Sequence, residues 1–556
     1  MERNLTKLTN KVHDLVVVGG GIYGATLAWE ASLRGFSVAL VEKGDFGAAT
    51  SANSLKTIHG GLRYLQNADF KRMRESIHER TALMRIAPHL IHPLPVLVPT
   101  YGHGLKGKEV LSVALAINDL VSCDRNRVPD NQKHIPNGRV ISKQKCLELL
   151  PDIPTQGLTG GAIFYDAQVY NSERLNISFL RSAYQKGASL ANYVEVNGFI
   201  QNDNRIIGVT ATDRLTGNKL DIRGQTVINT CGAWLNKILG MVNQKERSPF
   251  GLAKAMNLVT TRPLFEKYAV GISSKNSSVD PNTVINKGSR FFFIAPWRGR
   301  SMIGTEYAVY SQDPDNFQIT EDEINQFITA INQAYPGAKL KREEISFVHG
   351  GILPTTNVNP KNGEPVLAKH YQIFDHSQTG LLGLISVVGV KYTTARDVAE
   401  KVVNYLFKSL GKKSPKSVSS VIPIYGGEIE NFNAFLQNAI VENKSKGLTE
   451  STIRRLVYNY GSAYPEVINY LDSPESKLAV IKAEILHAIH QEMAHKLSDV
   501  ILRRTELGSV GYPGDEIIQF SAEVMSKELS WNSEKLQQEL QEINNIFGFS
   551  QVKVPV

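Results

Sequence analysis

The chain has 556 residues, 42% of them hydrophobic and 21% charged, with a formal net charge of +9 and an isoelectric point near 9.1. That length and apolar content suit two to four domains with packed cores and exclude a chain too polar to bury one. The positive charge suits an anionic partner, a phosphorylated substrate or a lipid surface; no nucleic-acid-binding motif accompanies it, so no nucleic-acid partner is expected.

Residues 1–11 are polar and lack the apolar centre of a secretory signal. The longest apolar stretch, 381–390, is about half a membrane span and is interrupted by Gly383 and Gly389, so no transmembrane helix is expected. Cys123, Cys146 and Cys231 have no paired spacing, which argues against a disulfide framework or zinc site and suits a reducing cytoplasm.

The first strand is Asp14-Leu-Val-Val-Val, followed by Gly19-Gly-Gly21-Ile22-Tyr23-Gly24, a helical stretch to Gly35, a second apolar strand 36–41 and Glu42. An apolar strand, a GxGxxG turn, a helix and an acid 18 residues after the last glycine make up the dinucleotide-binding βαβ unit. Gly19 permits the tight turn, Gly21 lets backbone approach a pyrophosphate, and Gly24 lets helix and strand pack closely. The helix N-terminus, opening at Ile22 and Tyr23, offers N–H groups to phosphate, and Glu42 offers acceptors to ribose hydroxyls. This unit alone does not separate a nicotinamide from a flavin.

The next stretch does. From Lys43 it is rich in small and hydroxyl residues, including Thr50, Ser51, Ser54 and Lys56, and it ends in His59-Gly60-Gly61-Leu62-Arg63-Tyr64-Leu65. A flavin lying flat needs a long polar segment along its diphosphate and ring. The run closely resembles the FAD-dependent glycerol-3-phosphate dehydrogenases, whose segment reads approximately Ser-Ser-x-Ser-Ser-Lys-Leu-Ile-His-Gly-Gly-Leu-Arg-Tyr-Leu.

Residues 67–90 read as a helix, and the proline-rich 92–99 reads as a connector or edge strand. Residues 106–121 carry Val110, Val113, Ala114, Ile117 and Val121 on one face behind Lys106 and Lys108. This is the pattern of a core-facing helix with a basic end, or of an interfacial membrane helix. In the strand 160–170, Asp166 serves as a cap or an orienting group, with a structural role the better reading. Residues 192–230 alternate as a β-meander, entered near Val194, and end at Cys231-Gly232-Ala-Trp234, which resembles the second flavoprotein signature. Between 250 and 347 lies a second β-rich region containing Phe291 to Phe293, read as core, and a helix at 320–334 opened by a Thr320–Glu323 capping box.

The nucleotide fold is expected to resume through 349–354 and 365–370, then the strand reaching Gly389, with Lys391 in the loop and a helix starting near Thr393. That helix end would stabilise negative charge on a reduced flavin. After 410 the composition turns helical; 481–507 reads as one long amphipathic helix, and Leu536, Leu540, Ile543 and Phe547 form one stripe. His487 and His490 beside Glu484 lack further ligands, so packing roles are favoured and no metal is expected.

The resulting expectation is an α/β plus α protein. An FAD-binding Rossmann-type, glutathione-reductase-like domain comprises 1–75, 150–240 and 345–410. A β-rich substrate domain (76–149 and 241–344) is inserted, and a helical C-terminal domain covers 411–556. The resemblance implies FAD along Gly19, Gly21, Ile22, Tyr23, Gly24, Glu42, Lys43, Thr50, Ser51, Ser54, Lys56, His59, Val194, Gly232, Trp234, Gly389, Lys391 and Thr393. It also implies oxidation of sn-glycerol 3-phosphate to dihydroxyacetone phosphate, with His59 as base and Arg63, Tyr64, Lys369 and Lys391 handling substrate and charge. Electrons would pass to a quinone from a cytoplasmic enzyme bound peripherally to the membrane, a homodimer being compatible.

The sequence departs from the family at one point. Where the family carries Arg in a Gly-x-Arg-Pro motif that binds the substrate phosphate, this chain has Leu353, and a further family arginine is Lys369. Losing a charged phosphate ligand costs roughly 2–4 kcal/mol. Either Arg63, Lys369, Lys391 and Arg290 hold the phosphate, or the substrate is a different polyol derivative. Oxygen as acceptor, and a flavoprotein without turnover, stay open at this stage.

Overall fold

The computed structural model describes residues 1–102, 108–242, 248–273, 291–359, 363–472 and 476–548. Its first sheet grows from the strand His13–Val18, whose near-continuous apolar run is buried on both faces, as parallel strands require. It pairs in parallel with Val38–Val41 on one side and Lys219–Asn229 on the other. Leu384–Val388 extends the parallel set beyond Lys219–Asn229, Ser189–Ala191 closes one edge, and the antiparallel Gln372–Asp375 closes the other. Helices Ile22–Leu33, Ser172–Gln185 and Ala395–Ser409 contribute to the core on one face of this sheet. The meander Val194–Asn202, Arg205–Asp213 and Lys219–Asn229 contributes to a second core.

The second sheet runs in the order Pro365–Leu367, Ile345–Val358, Gly251–Thr260, Arg300–Tyr310, Phe291–Trp297, Ala269–Ser273, Ile91–Tyr101, Leu158–Val169 and Thr57–Ile58. Helix Glu321–Ala334 packs on it, opened by the expected Thr320–Glu323 capping box. Three expectations are corrected here. The strand Ile91–Tyr101 is interior rather than an edge; its prolines are tolerated because the strand Ala269–Ser273 meets it only at Val96 and Leu97. Strands Leu158–Val169, Ile345–Val358 and Pro365–Leu367, grouped by sequence with the nucleotide fold, pair within the second sheet. Their apolar patterns fit either sheet, and only long-range pairing decides between them.

The third correction lies in the C-terminal region, which is helical from Phe432 to Phe547. The single helix expected over 481–507 is broken. Helix Lys477–Glu492 stops where Met493 takes a φ of +55°, and the chain continues through a short turn at Leu497–Asp499 and a π-turn at Val500–Arg504. The break has a cause in burial. Glu492, Asp499 and Arg504 are all fully buried, and a straight helix does not bring them to the partners they find in the nucleotide-binding part.

Candidate functional site

The glycine turn shows why only glycine serves there. A Cβ on Gly24 would lie 1.9 Å from the Gly19 carbonyl oxygen, and one on Gly19, at a φ of +104°, would meet the Thr230 carbonyl oxygen at 3.0 Å. Gly21 opens the helix Ile22–Leu33 without a side-chain cap of its own, and the Ser51 Oγ accepts the Ile22 N–H at 3.0 Å. The result is a backbone cradle at an N-terminal helix end, which fits the diphosphate of a dinucleotide. Glu42 follows the second strand and accepts from the Gly20 N–H at 2.7 Å and the Gly44 N–H at 2.9 Å. Burial pushes its carboxyl above the ordinary value, against the pull of those N–H donors.

The other expected cofactor residues surround this cradle and are tied together by protein. Val194 donates its N–H to the Glu42 carbonyl. The Lys43 ammonium lies 4.2 Å from the Trp234 ring centroid, beside Gly232, and pairs with Asp315 from the second sheet's side. Trp234 Nε1 donates to the same Asp315 carboxylate at 2.7 Å. Thr50 Oγ1 exchanges two 3.0 Å bonds with Ile352, and Ser54 Oγ accepts the Lys56 N–H. Lys56 points its side chain into the protein. Its ammonium is fully buried and spends its donors on Ala52 O, Ser172 Oγ and Glu173, so it braces the segment from behind.

Tyr23 connects the cradle to the last loop. Its hydroxyl donates to Lys391 O at 2.7 Å and accepts the Val390 and Lys391 N–H groups at 3.1 Å each, while burial raises its pKa to about 12. A Cβ on Gly389 would fall 2.0 Å from the Tyr23 ring, so the loop closes onto Tyr23 only with glycine there. Thr393 is buried just before the helix Ala395–Ser409.

The residues expected on the substrate side lie on three segments. His59 follows the short strand Thr57–Ile58; Gly61, at a φ of +91°, turns the chain into Leu62–Asn67, which carries Tyr64 and Arg63. The Arg63 side chain, like Lys106 and Arg290, lies outside the described residues. Lys391 Nζ stands 4.0 Å from the Tyr64 ring centroid, and the Arg72 guanidinium stands 4.4 Å from it. His370, the neighbour of Lys369, is held below its ordinary pKa by burial and by the charges of Arg72 and Lys391. Leu353, half-buried, pairs with Ala253 in the second sheet.

Two residues here escaped sequence reasoning. Arg72 lies in the helix expected over 67–90, where nothing in the sequence marks it out. Asp166 was read as structural, yet its carboxylate bonds His59 Nδ1 at 3.0 Å and accepts the Gly60 N–H at 2.6 Å, with Arg80 3.7 Å away. Burial alone would raise the Asp166 carboxyl; His59, Arg80 and the Gly60 N–H outweigh it and hold it below the ordinary value. In the tautomer that donates Nδ1–H to Asp166, Nε2 is left as the acceptor, and the His59 side chain is 47% exposed. That is the arrangement of a general base held by an orienting carboxylate. His487, fully buried, sits beside Glu492, and His490 beside Glu528.

A glycine cradle on a parallel sheet, joined to a second sheet that carries a histidine–carboxylate pair, fits a dinucleotide-dependent oxidoreductase, and the family match makes the dinucleotide a flavin. The family model for FAD dependent oxidoreductases matches residues 14–390, and that for the C-terminal domain of alpha-glycerophosphate oxidase matches 417–536. The chain is 30% identical over 550 residues to a glycerol-3-phosphate dehydrogenase of Synechocystis sp., covering 97% of each chain. It is 28% identical to an aerobic glycerol-3-phosphate dehydrogenase of Staphylococcus haemolyticus, covering 97% of this chain and 94% of that one. The structure of the glycerol-3-phosphate dehydrogenase from Bacillus halodurans complexed with FAD superposes with a TM-score of 0.76 at 25% identity, covering 98% of this chain and 96% of that one. The chain belongs to the FAD-dependent glycerol-3-phosphate dehydrogenase family, and its cofactor is FAD.

Proposed function

We propose that this protein oxidises the secondary hydroxyl of sn-glycerol 3-phosphate, giving dihydroxyacetone phosphate, and passes the electrons to a quinone at a membrane surface. The observation that carries this reading is the linkage of parts: cradle to Tyr23, Tyr23 to Lys391, and Lys391 to Tyr64, on the same segment that carries His59 and its Asp166 partner. FAD, when bound, supplies the acceptor for the hydride and its electron pair. His59 Nε2 takes the hydroxyl proton as the carbon–hydrogen bond breaks, and Asp166 stabilises the imidazolium that results. Lys391 and Arg72 flank Tyr64 with positive charge, which favours a phosphate ester and offsets developing alkoxide charge.

The helix Lys108–Val121 supports the membrane part of the proposal. It packs against the Leu62–Asn67 turn and turns Val113, Ile117 and Leu120 outward, the last 75% exposed, beside the exposed Val140. Arg139, exposed, lies on the strand Arg139–Ser142 that packs against this helix, and exposed Lys143 and Lys145 follow it in the chain. An apolar stripe flanked by cations is the surface that settles into an anionic lipid interface. No helix among the described residues is long and apolar enough to cross a membrane.

Leu353 favours a second reading, in which the same chemistry acts on an unphosphorylated or larger polyol derivative. A steady-state assay with a soluble quinone analogue and an oxygen electrode tests the proposal. Ketone formed in equal amount to quinone reduced supports it; peroxide in place of reduced quinone removes the acceptor, and absence of ketone removes the substrate.

A further inference from the structure

The broken C-terminal helix delivers two consecutive arginines to the loop that carries Glu42. Three residues beyond Glu42, Asp45 is 3% exposed, and its carboxylate takes four donors. Arg503 Nε approaches at 2.5 Å, the two terminal nitrogens of Arg504 at 2.6 and 2.8 Å, and Asn192 Nδ2 at 3.1 Å. The same segment holds the other side of the loop: Asn192 Nδ2 donates to Met493 O at 2.9 Å, and Tyr193 Oη donates to Asp499 at 2.6 Å. Asp499 in turn accepts from Arg503 at 2.8 Å.

These contacts grip the backbone that shapes the ribose site. Tyr193 and Val194 donate their N–H groups to the carbonyls of Gly44 and Glu42, and the Gly47 N–H donates to Gly20 O. Phe46 sits so close that a Cβ on Gly20 would be 2.7 Å from its ring. A buried ion pair adds little net stability compared with apolar packing. Its value is geometric, because a charged, multidentate contact tolerates one loop conformation and penalises others. The 500–504 stretch is also a π-turn, an irregularity often found at functional sites.

We propose that Arg503 and Arg504 are positioning residues for the cofactor: the C-terminal region locks the 42–47 loop through Asp45, so that FAD affinity and order in the 493–507 segment are linked. The inference rests on Glu42 as the ribose acceptor. It makes the C-terminal region part of the support of the cofactor site. Linkage is reciprocal: if the arginines favour the FAD-binding form of the loop, bound FAD favours the arginine-bound form of the C-terminal segment.

The test is FAD titration of full-length apoprotein, followed by flavin fluorescence. Asp45→Asn is expected to raise the Kd for FAD at least tenfold, whereas Glu484→Gln, which weakens the Arg455–Glu484 pair inside the C-terminal region, leaves it within twofold. A Kd for Asp45→Asn within twofold of wild type overturns the proposal, as does an equal rise in both variants. If Asp45→Asn does not fold, hydrogen exchange on wild-type protein decides: FAD is expected to slow exchange across 493–507 at least fivefold, and unchanged exchange there overturns it. Normal FAD binding without reduction by sn-glycerol 3-phosphate counts against the proposed substrate and leaves this inference standing.

Discussion

The cofactor half and the substrate half of this site are built by different means. The cofactor half is mainly backbone: glycines with no room for a Cβ, a helix end, and polar side chains occupied in fixing one another. The substrate half is made of side chains from distant segments, with Tyr64 between Arg72 and Lys391 and a half-exposed His59 held by Asp166. A backbone site depends on spacing and changes little without losing its ligand. A side-chain site can change one contact and keep its frame.

Substitutions should separate the two halves, beginning with the largest effect. Gly24→Val puts a side chain where even a Cβ would stand 1.9 Å from a carbonyl oxygen, so the purified protein is expected to carry no flavin absorbance. Retained yellow colour would show that the cradle is not backbone-limited. His59→Ala should keep its flavin but lower the rate of flavin reduction by about a hundredfold or more, the size of a lost general base. Asp166→Asn should fall between that variant and wild type, because the ring stays but its orienting charge goes.

Asp166 also gives a signed pH effect. Its carboxyl is held below the ordinary value of 3.8 in the folded protein, so its contribution to stability is present above that value and is lost as pH falls through the folded one. Thermal midpoints measured down the acid limb should therefore drop more steeply for wild type than for Asp166→Asn, and parallel curves would contradict this. Leu353→Arg should lower the KM for sn-glycerol 3-phosphate about tenfold, equivalent to about 1.4 kcal/mol, without altering the response to glycerol. An unchanged KM would mean that Leu353 does not face the phosphate. The smallest effect belongs to Asp315→Asn, which removes a partly exposed charge from Lys43 and Lys237. FAD affinity should change less than about threefold and become more salt-sensitive, because Lys43 and Lys237 lose the carboxylate that offsets them.

The same division governs what the sequence revealed. The strand, glycine turn, helix and Glu42 were legible because each is local and obeys a fixed spacing, as were the meander and the Thr320 capping box. The burial of the Lys56 ammonium was not legible because a lysine in a polar segment does not announce its pairing with Glu173, far along the chain. The proline-rich strand 91–101 and the broken helix after Glu492 failed for the same reason, since pairing and burial across hundreds of residues override local pattern. Asp166 was visible as a residue but not as His59's partner, which required the antiparallel pairing of Thr57–Ile58 with the strand Leu158–Val169.

Anaerobic reduction of the bound flavin addresses the central claim most directly, with sn-glycerol 3-phosphate as reductant and glycerol as control. Saturable loss of visible flavin absorbance is expected with the phosphate ester at concentrations where glycerol has no effect, because Lys391 and Arg72 supply the charge that Leu353 does not. Equal bleaching by both, or none from a flavin that dithionite still reduces, would contradict it.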